Sequence, residues 1–182
     1  VLPGAALMIG APVAPAALGA AGLGLIALLA ARLHSRLADY VLATAIMGQA
    51  MLLTAVFGGH PFQIDMHMMF FAALAIVSTI GRVPVLIWAC AITAVHHLSL
   101  TLVLPALVYP SADLALNILR TAIHGGIVVI EGAVLAISML QRNDAMATVE
   151  RTAERLETES RMAADAEAEA QAARDGADAV IA

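Results

Sequence analysis

His60, Asp65, His67, His96, His97, His124 and Glu131 lie in or beside long apolar runs of the chain. Ionisable side chains at such positions are costly inside a bilayer, so they mark functional sites by default. Three chemistries suit the set. Two imidazoles on facing helices ligate a haem iron axially. Alternatively, imidazole with the thioethers of Met66, Met68 and Met69 holds copper, although methionine is also a flexible apolar filler. The third is a proton relay through His and Glu with no metal at all. His96 and His97 diverge by about 100° on a helix, so one is expected as the ligand and the other as its support.

The elements that must position these groups follow from composition. Of 182 residues, 62% are hydrophobic and 13% charged, and the mean hydropathy is +0.91, well beyond an ordinary soluble domain. The fold expected is an all-α integral membrane bundle of about five spans. They are placed at 13–31, 38–57, 64–80, 84–104 and 114–141, each near the length a bilayer demands. Gly58, Gly59, Pro61, Gly81, Pro84 and Pro105 punctuate the boundaries. Arg32, Arg36, Arg82 and Arg142 fall on one side, so the positive-inside rule puts the N-terminus outside and the tail in the cytoplasm. The opening residues 1–12 lack a basic stretch, which argues against a cleaved signal peptide and for a truncated start.

With that topology, His60, Asp65, His67, His96, His97 and His124 gather in the outer half of the bilayer or its outer loop, while His34 sits beside two arginines on the inner side. A solvated or headgroup-facing role suits His34. The candidate cofactor ligands are His67, His96, His97 and His124, and a metal would take His60, His67, His97 and His124. Asp65, Arg120 and Glu131 are the candidate supports: Arg120 pairs with Asp65 or Asp113 or snorkels outward, and Glu131 lies two turns below His124 and needs a proton or a partner. Against each single assignment stands the commoner role of a buried His, a hydrogen bond to a neighbouring helix. Gly125 and Gly126 admit either a second helix or a flat cofactor.

Cys90 is the single cysteine, which excludes an intrachain disulfide and any cysteine-rich metal motif. Enzyme signatures such as a phosphate-binding glycine loop, HExxH or a nucleophile elbow are absent, so no catalytic activity is expected. No basic patch invites nucleic acid. The four arginines and four acids of 1–141 cancel, which leaves the net charge of -5 in 142–182. The body is thus a transmembrane sensory domain and 142–182 a cytoplasmic signalling helix. Met146, Val149, Ala153, Leu156 and Ala163 form a modest coiled-coil seam along it, and Glu157 with Arg161 is an i,i+4 pair. A homodimer is the partner expected from that seam. A solvated single helix is the plainer alternative.

Three features together resemble the polytopic sensory region of a group of bacterial methyl-accepting chemotaxis proteins. They are the stretch Gly-His-Pro-Phe-Gln-Ile-Asp-Met-His-Met-Met-Phe-Phe-Ala-Ala-Leu-Ala at 59–75, Ala-Val-His-His-Leu-Ser-Leu-Thr-Leu-Val-Leu-Pro at 94–105, and the His124-to-Glu131 spacing. The resemblance covers roughly residues 40–160. It implies a receptor in the bacterial inner (cytoplasmic) membrane whose last span runs into a cytoplasmic hairpin controlling a histidine kinase through an adaptor. That hairpin is missing here, which points to a fragment or to another output, such as a diguanylate cyclase. A more distant likeness, to copper-associated membrane sensors with a Met-His-Tyr-Thr motif, touches only Met66, His67, Met68 and Met69 and lacks the Tyr-Thr pair. The function expected is sensory input through a His site holding haem or a redox metal such as copper. The alternatives are a small-molecule or proton carrier, and a membrane anchor or dimerisation module.

Overall fold

The apolar runs of this chain fold as helices, which satisfy their backbone hydrogen bonds internally. The computed structural model describes residues 2–33, 35–111 and 113–181, with side chains through 169 and at 171. His34 lies outside the described residues. The helices are α1 (Leu2–Met8), α2 (Val13–Ala31), α3 (Arg36–Val56), α4 (Gln63–Met66), α5 (Met68–Ser78), α6 (Val83–Val103) and α7 (Leu114–Ile181), with a 3-10 turn at Pro105–Leu107. Two compact units result, Val1–Leu140 and Gln141–Ala182.

Local chemistry sets the ends. The Ser35 hydroxyl accepts from the Ala38 N–H at 3.1 Å and caps α3. Asp113 does the same for α7, its carboxylate accepting from Leu116 N–H at 3.1 Å. Gly59 and Gly81 turn the chain at φ 76° and 79°, a left-handed backbone that side chains resist. Pro84 sits in the first turn of α6, where its missing N–H costs nothing.

Among the described residues, four helices are long and apolar enough to cross a membrane: α2, α3, α6 and the Leu114–Glu169 part of α7. The third expected span, 64–80, differs. It is two helices, α4 and α5, and the whole Gln63–Ser78 stretch is shorter than the other four. At the junction the ladder tightens, with His67 N–H bonded to Ile64 C=O and Phe70 N–H to His67 C=O, both i→i+3. His67 therefore stands at a break rather than on a regular helix face. The opening stretch, expected only as an apolar start, forms α1, and its Leu2 packs on Leu53 and Phe57.

The core of the first unit joins α3, α5, α6 and α7. Met47, Phe70, Leu74, Val77, Val85, Leu86 and Val128 interdigitate with small residues such as Ala43, Ala73 and Ala89. Between α2 and α3 the close approach is reciprocal: Leu52 lies over Gly19, and Leu23 over Gly48. Outside that core the surface is apolar, with Leu18, Leu28, Ile87, Leu102, Val129 and Ile130 all more than half exposed. Such a surface suits lipid and not water.

Candidate functional site

Three of the expected histidines converge between α5, α6 and α7. The ring centre of His67 lies 5.4 Å from that of His97 and 5.5 Å from that of His124, and His97 and His124 are 6.2 Å apart. Their hydrogen bonds follow one pattern. Each Nδ1 meets the carbonyl four residues earlier: His67 on Gln63 and His97 on Thr93, both at 2.9 Å, and His124 on Arg120 at 2.7 Å. A carbonyl only accepts, so each Nδ1 carries the proton and each Nε2 is left with a bare lone pair. The Nε2 of His67 is buried and has no hydrogen-bond partner. This is the orientation in which proteins present imidazole to metals.

A second layer was not foreseen from sequence. Tyr109, 1% exposed, stacks on His67 with ring centres 5.7 Å apart and planes 2° from parallel. Its hydroxyl meets Thr121 Oγ1 at 2.9 Å, Thr121 meets Thr101 Oγ1 at 2.8 Å, and Thr101 donates to the His97 carbonyl at 2.5 Å. Because that last acceptor is a carbonyl, the order is fixed. Thr101 spends its proton on His97, Thr121 donates to Thr101, and Tyr109 donates to Thr121. Burial raises the Tyr109 pKa above its ordinary value, which keeps its proton in place. Gln63 is also buried; it donates to Ala106 C=O at 3.0 Å and accepts from Gly59 N–H at 3.2 Å, tying α4 to the turn before it and to the 3-10 turn after α6. Asn117 donates to Ser111 C=O at 2.8 Å. The signal for these residues was modest: polar side chains next to apolar runs, with Thr101 one turn beyond His97.

The other candidates are placed elsewhere. His60 stays in its turn between Phe57 and Phe62, and its Nδ1 accepts from Phe62 N–H at 3.2 Å. A ring that accepts through Nδ1 carries its neutral-state proton on Nε2, so His60 presents no lone pair there. It is not brought to the cluster. His96 packs beside His97, ring centres 5.3 Å apart, with its own Nε2 buried and unpartnered; no bond between the two rings supports the ligand-and-support pairing. Asp65 is exposed. Arg120 reaches the Asn117 side chain at 3.5 Å, and among the described residues no ion pair joins it to Asp65 or Asp113. Glu131 has one carboxyl oxygen buried without a hydrogen-bond partner. Met66 packs against Leu2, Leu53 and Phe57, and Met68 and Met69 are exposed, because neighbours of His67 leave the helix in other directions. The thioethers and the imidazoles are therefore not gathered together.

Beside the imidazoles lies a cavity of about 470 Å³, bounded by Phe70 and Phe71 of α5, Cys90, Ala94 and Leu98 of α6, and Gly125 and Val128 of α7. A side chain built on Gly125 would meet nothing within 4 Å. The glycine thus opens space instead of receiving a helix from this chain. Among the described residues, no three His, Cys, Asp or Glu side chains are set to hold an ion as they stand. The chain matches no protein-family model, no curated protein and no solved structure.

Proposed function

We propose that the chain is the membrane-embedded sensory input region of a bacterial chemoreceptor-type transducer, with His67, His97 and His124 as its sensing site. The observation that carries this reading is the common anchoring of all three Nδ1–H groups, which leaves an Nε2 lone pair on each of three rings that line one cavity. A structural histidine needs no such repetition. The lengths and apolarity of the helices support insertion. In the five-span reading α4, His67 and α5 together form the third crossing; the 16 residues of Gln63–Ser78 rise about 24 Å, short of the roughly 30 Å hydrocarbon core, and the turns on either side complete it. The arginine distribution then puts the His cluster in the outer leaflet half of the inner membrane and the tail in the cytoplasm. A homodimer, an adaptor and a histidine kinase complete the signalling scheme.

The spacing favours a single copper ion over haem. Metal–nitrogen bonds of about 2 Å put the ring centres of three ligands roughly 5–5.5 Å apart, close to the 5.4 and 5.5 Å separations here. For a haem clasped by His97 and His124, His67 stands in the space the macrocycle would fill. Copper suits imidazole donors. For His97 and His124, now 6.2 Å apart, to join His67 around one ion they must approach, so two arrangements of α6 and α7 differ in affinity. That difference is what a ligand needs in order to shift a conformational equilibrium. His124 stands on α7, the helix that also forms the tail.

Metal analysis and an absorption spectrum of the detergent-purified chain test the reading. About one copper per chain is expected, lost in His97→Ala and in His124→Ala and retained in His60→Ala. A Soret band would replace copper by haem at the site. A colourless, metal-free protein that binds neither when offered them, and signals normally when joined to an output, would sink the proposal.

A further inference from the structure

The cavity beside the imidazoles is large for a cofactor-free structural gap and lies within the usual range for small-molecule sites, about 300–1,000 Å³. Its walls are almost wholly apolar. Ile87, Leu98 and Val129 line it and are also 61%, 56% and 70% exposed, so it communicates with the apolar outer surface. A lipophilic molecule can therefore enter sideways from the bilayer.

The polar end selects further. Every strong donor among the residues that line it is already committed: the three Nδ1–H groups to carbonyls, Thr93 to Ala89 C=O at 2.8 Å, and Thr121 to Thr101. The Cys90 thiol is a weak donor. What remains is lone pairs, on Nε2 of His67, His97 and His124. A site that offers acceptors and no donors recognises a molecule that brings its own proton. A carbonyl, ether or carboxylate headgroup finds no partner there.

We propose that this cavity binds an uncharged lipophilic ligand with a hydroxyl head, of the phenol class, its ring between Phe70, Phe71 and Val128 and its O–H donated to a histidine Nε2. Gly125 is part of the design, because a side chain at that position would occupy the ligand's space without touching the protein. The inference shares its imidazoles with the reading above but does not depend on the ion.

The test uses the purified full chain, stripped of metal with a chelator, and a matched pair of fluorescent probes, 1-naphthol and 1-methoxynaphthalene. The two share an apolar body and differ in the donor. Saturable 1-naphthol binding is expected, about tenfold tighter than the methyl ether, the upper range of one net hydrogen bond. The preference collapses in His97→Ala or His124→Ala. Gly125→Leu loses binding of both probes while staying helical and monodisperse; should that variant fail to fold, Ala94→Leu fills the same cavity from α6. Equal affinity for the two probes, absence of saturation, or wild-type binding by a folded cavity-filled variant overturns the proposal. Copper titrated back into the same chain once the chelator is removed separates the two readings: 1-naphthol bound without copper binding retires the ion alone, and copper bound without 1-naphthol retires the ligand alone.

Discussion

Thr101 holds more of the site together than its size suggests, since its hydroxyl accepts from Thr121 on α7 and donates to the carbonyl of His97 on α6. Thr101→Val keeps the shape and leaves the Thr121 hydroxyl without its acceptor. A loss of about 1–3 kcal/mol follows, the usual cost of a stranded buried donor, to be read as a lower unfolding midpoint in detergent. Thr101→Ser restores most of it. Equal losses in the two variants would show that the methyl group and not the hydroxyl matters. The histidines were legible in sequence because ionisable residues in apolar runs are rare; depth gathered His60, His67, His96, His97 and His124, and only the fold singles out His67, His97 and His124. Their common tautomer was not legible, because it depends on which carbonyl each ring meets. Tyr109, Thr121 and Gln63 were missed for a related reason: uncharged polar residues in or beside apolar runs are ordinary, and only the fold makes them buried neighbours.

Among the elements, α2 and α3 are joined by two reciprocal insertions, Leu52 on Gly19 and Leu23 on Gly48. A Cβ at Gly48 would come within 3.1 Å of the Leu23 side chain, so Gly48→Leu forces the helices apart at a cost of about 1–3 kcal/mol. Gly22→Leu, where a Cβ meets nothing within 4 Å, is expected to leave the unfolding midpoint unchanged; a matching loss at both positions would mean that the substitution itself, not the contact, is at fault. Helix ends were readable from Gly and Pro, whereas the Ser35 cap came only with the fold. The break at His67 was not readable either, since hydropathy is blind to a switch from i→i+4 to i→i+3 bonding. Gly125 and Gly126 were expected to admit either a second helix or a flat cofactor, and the space beside Gly125 is a cavity.

For the molecule as a whole, the seam of the tail remains to be occupied: Met146, Val149 and Leu156 are all about 60% exposed. In the proposed homodimer, Leu156→Cys in a Cys90→Ala background crosslinks readily and Thr158→Cys, outside the seam, does not. Equal crosslinking at both positions would speak for a solvated single helix. Composition alone announced the apolar body and the charged tail, because their chemistry differs so sharply; how either meets a partner is written in surfaces that one chain cannot display. One consequence of the histidine anchoring bears on any signal. Each ring is fastened to its own backbone one turn away, so it cannot swing to accommodate a new bond distance without moving its helix. The three imidazoles act as a gauge with no backlash, in which a sub-ångström displacement at a nitrogen is already a displacement of the main chain.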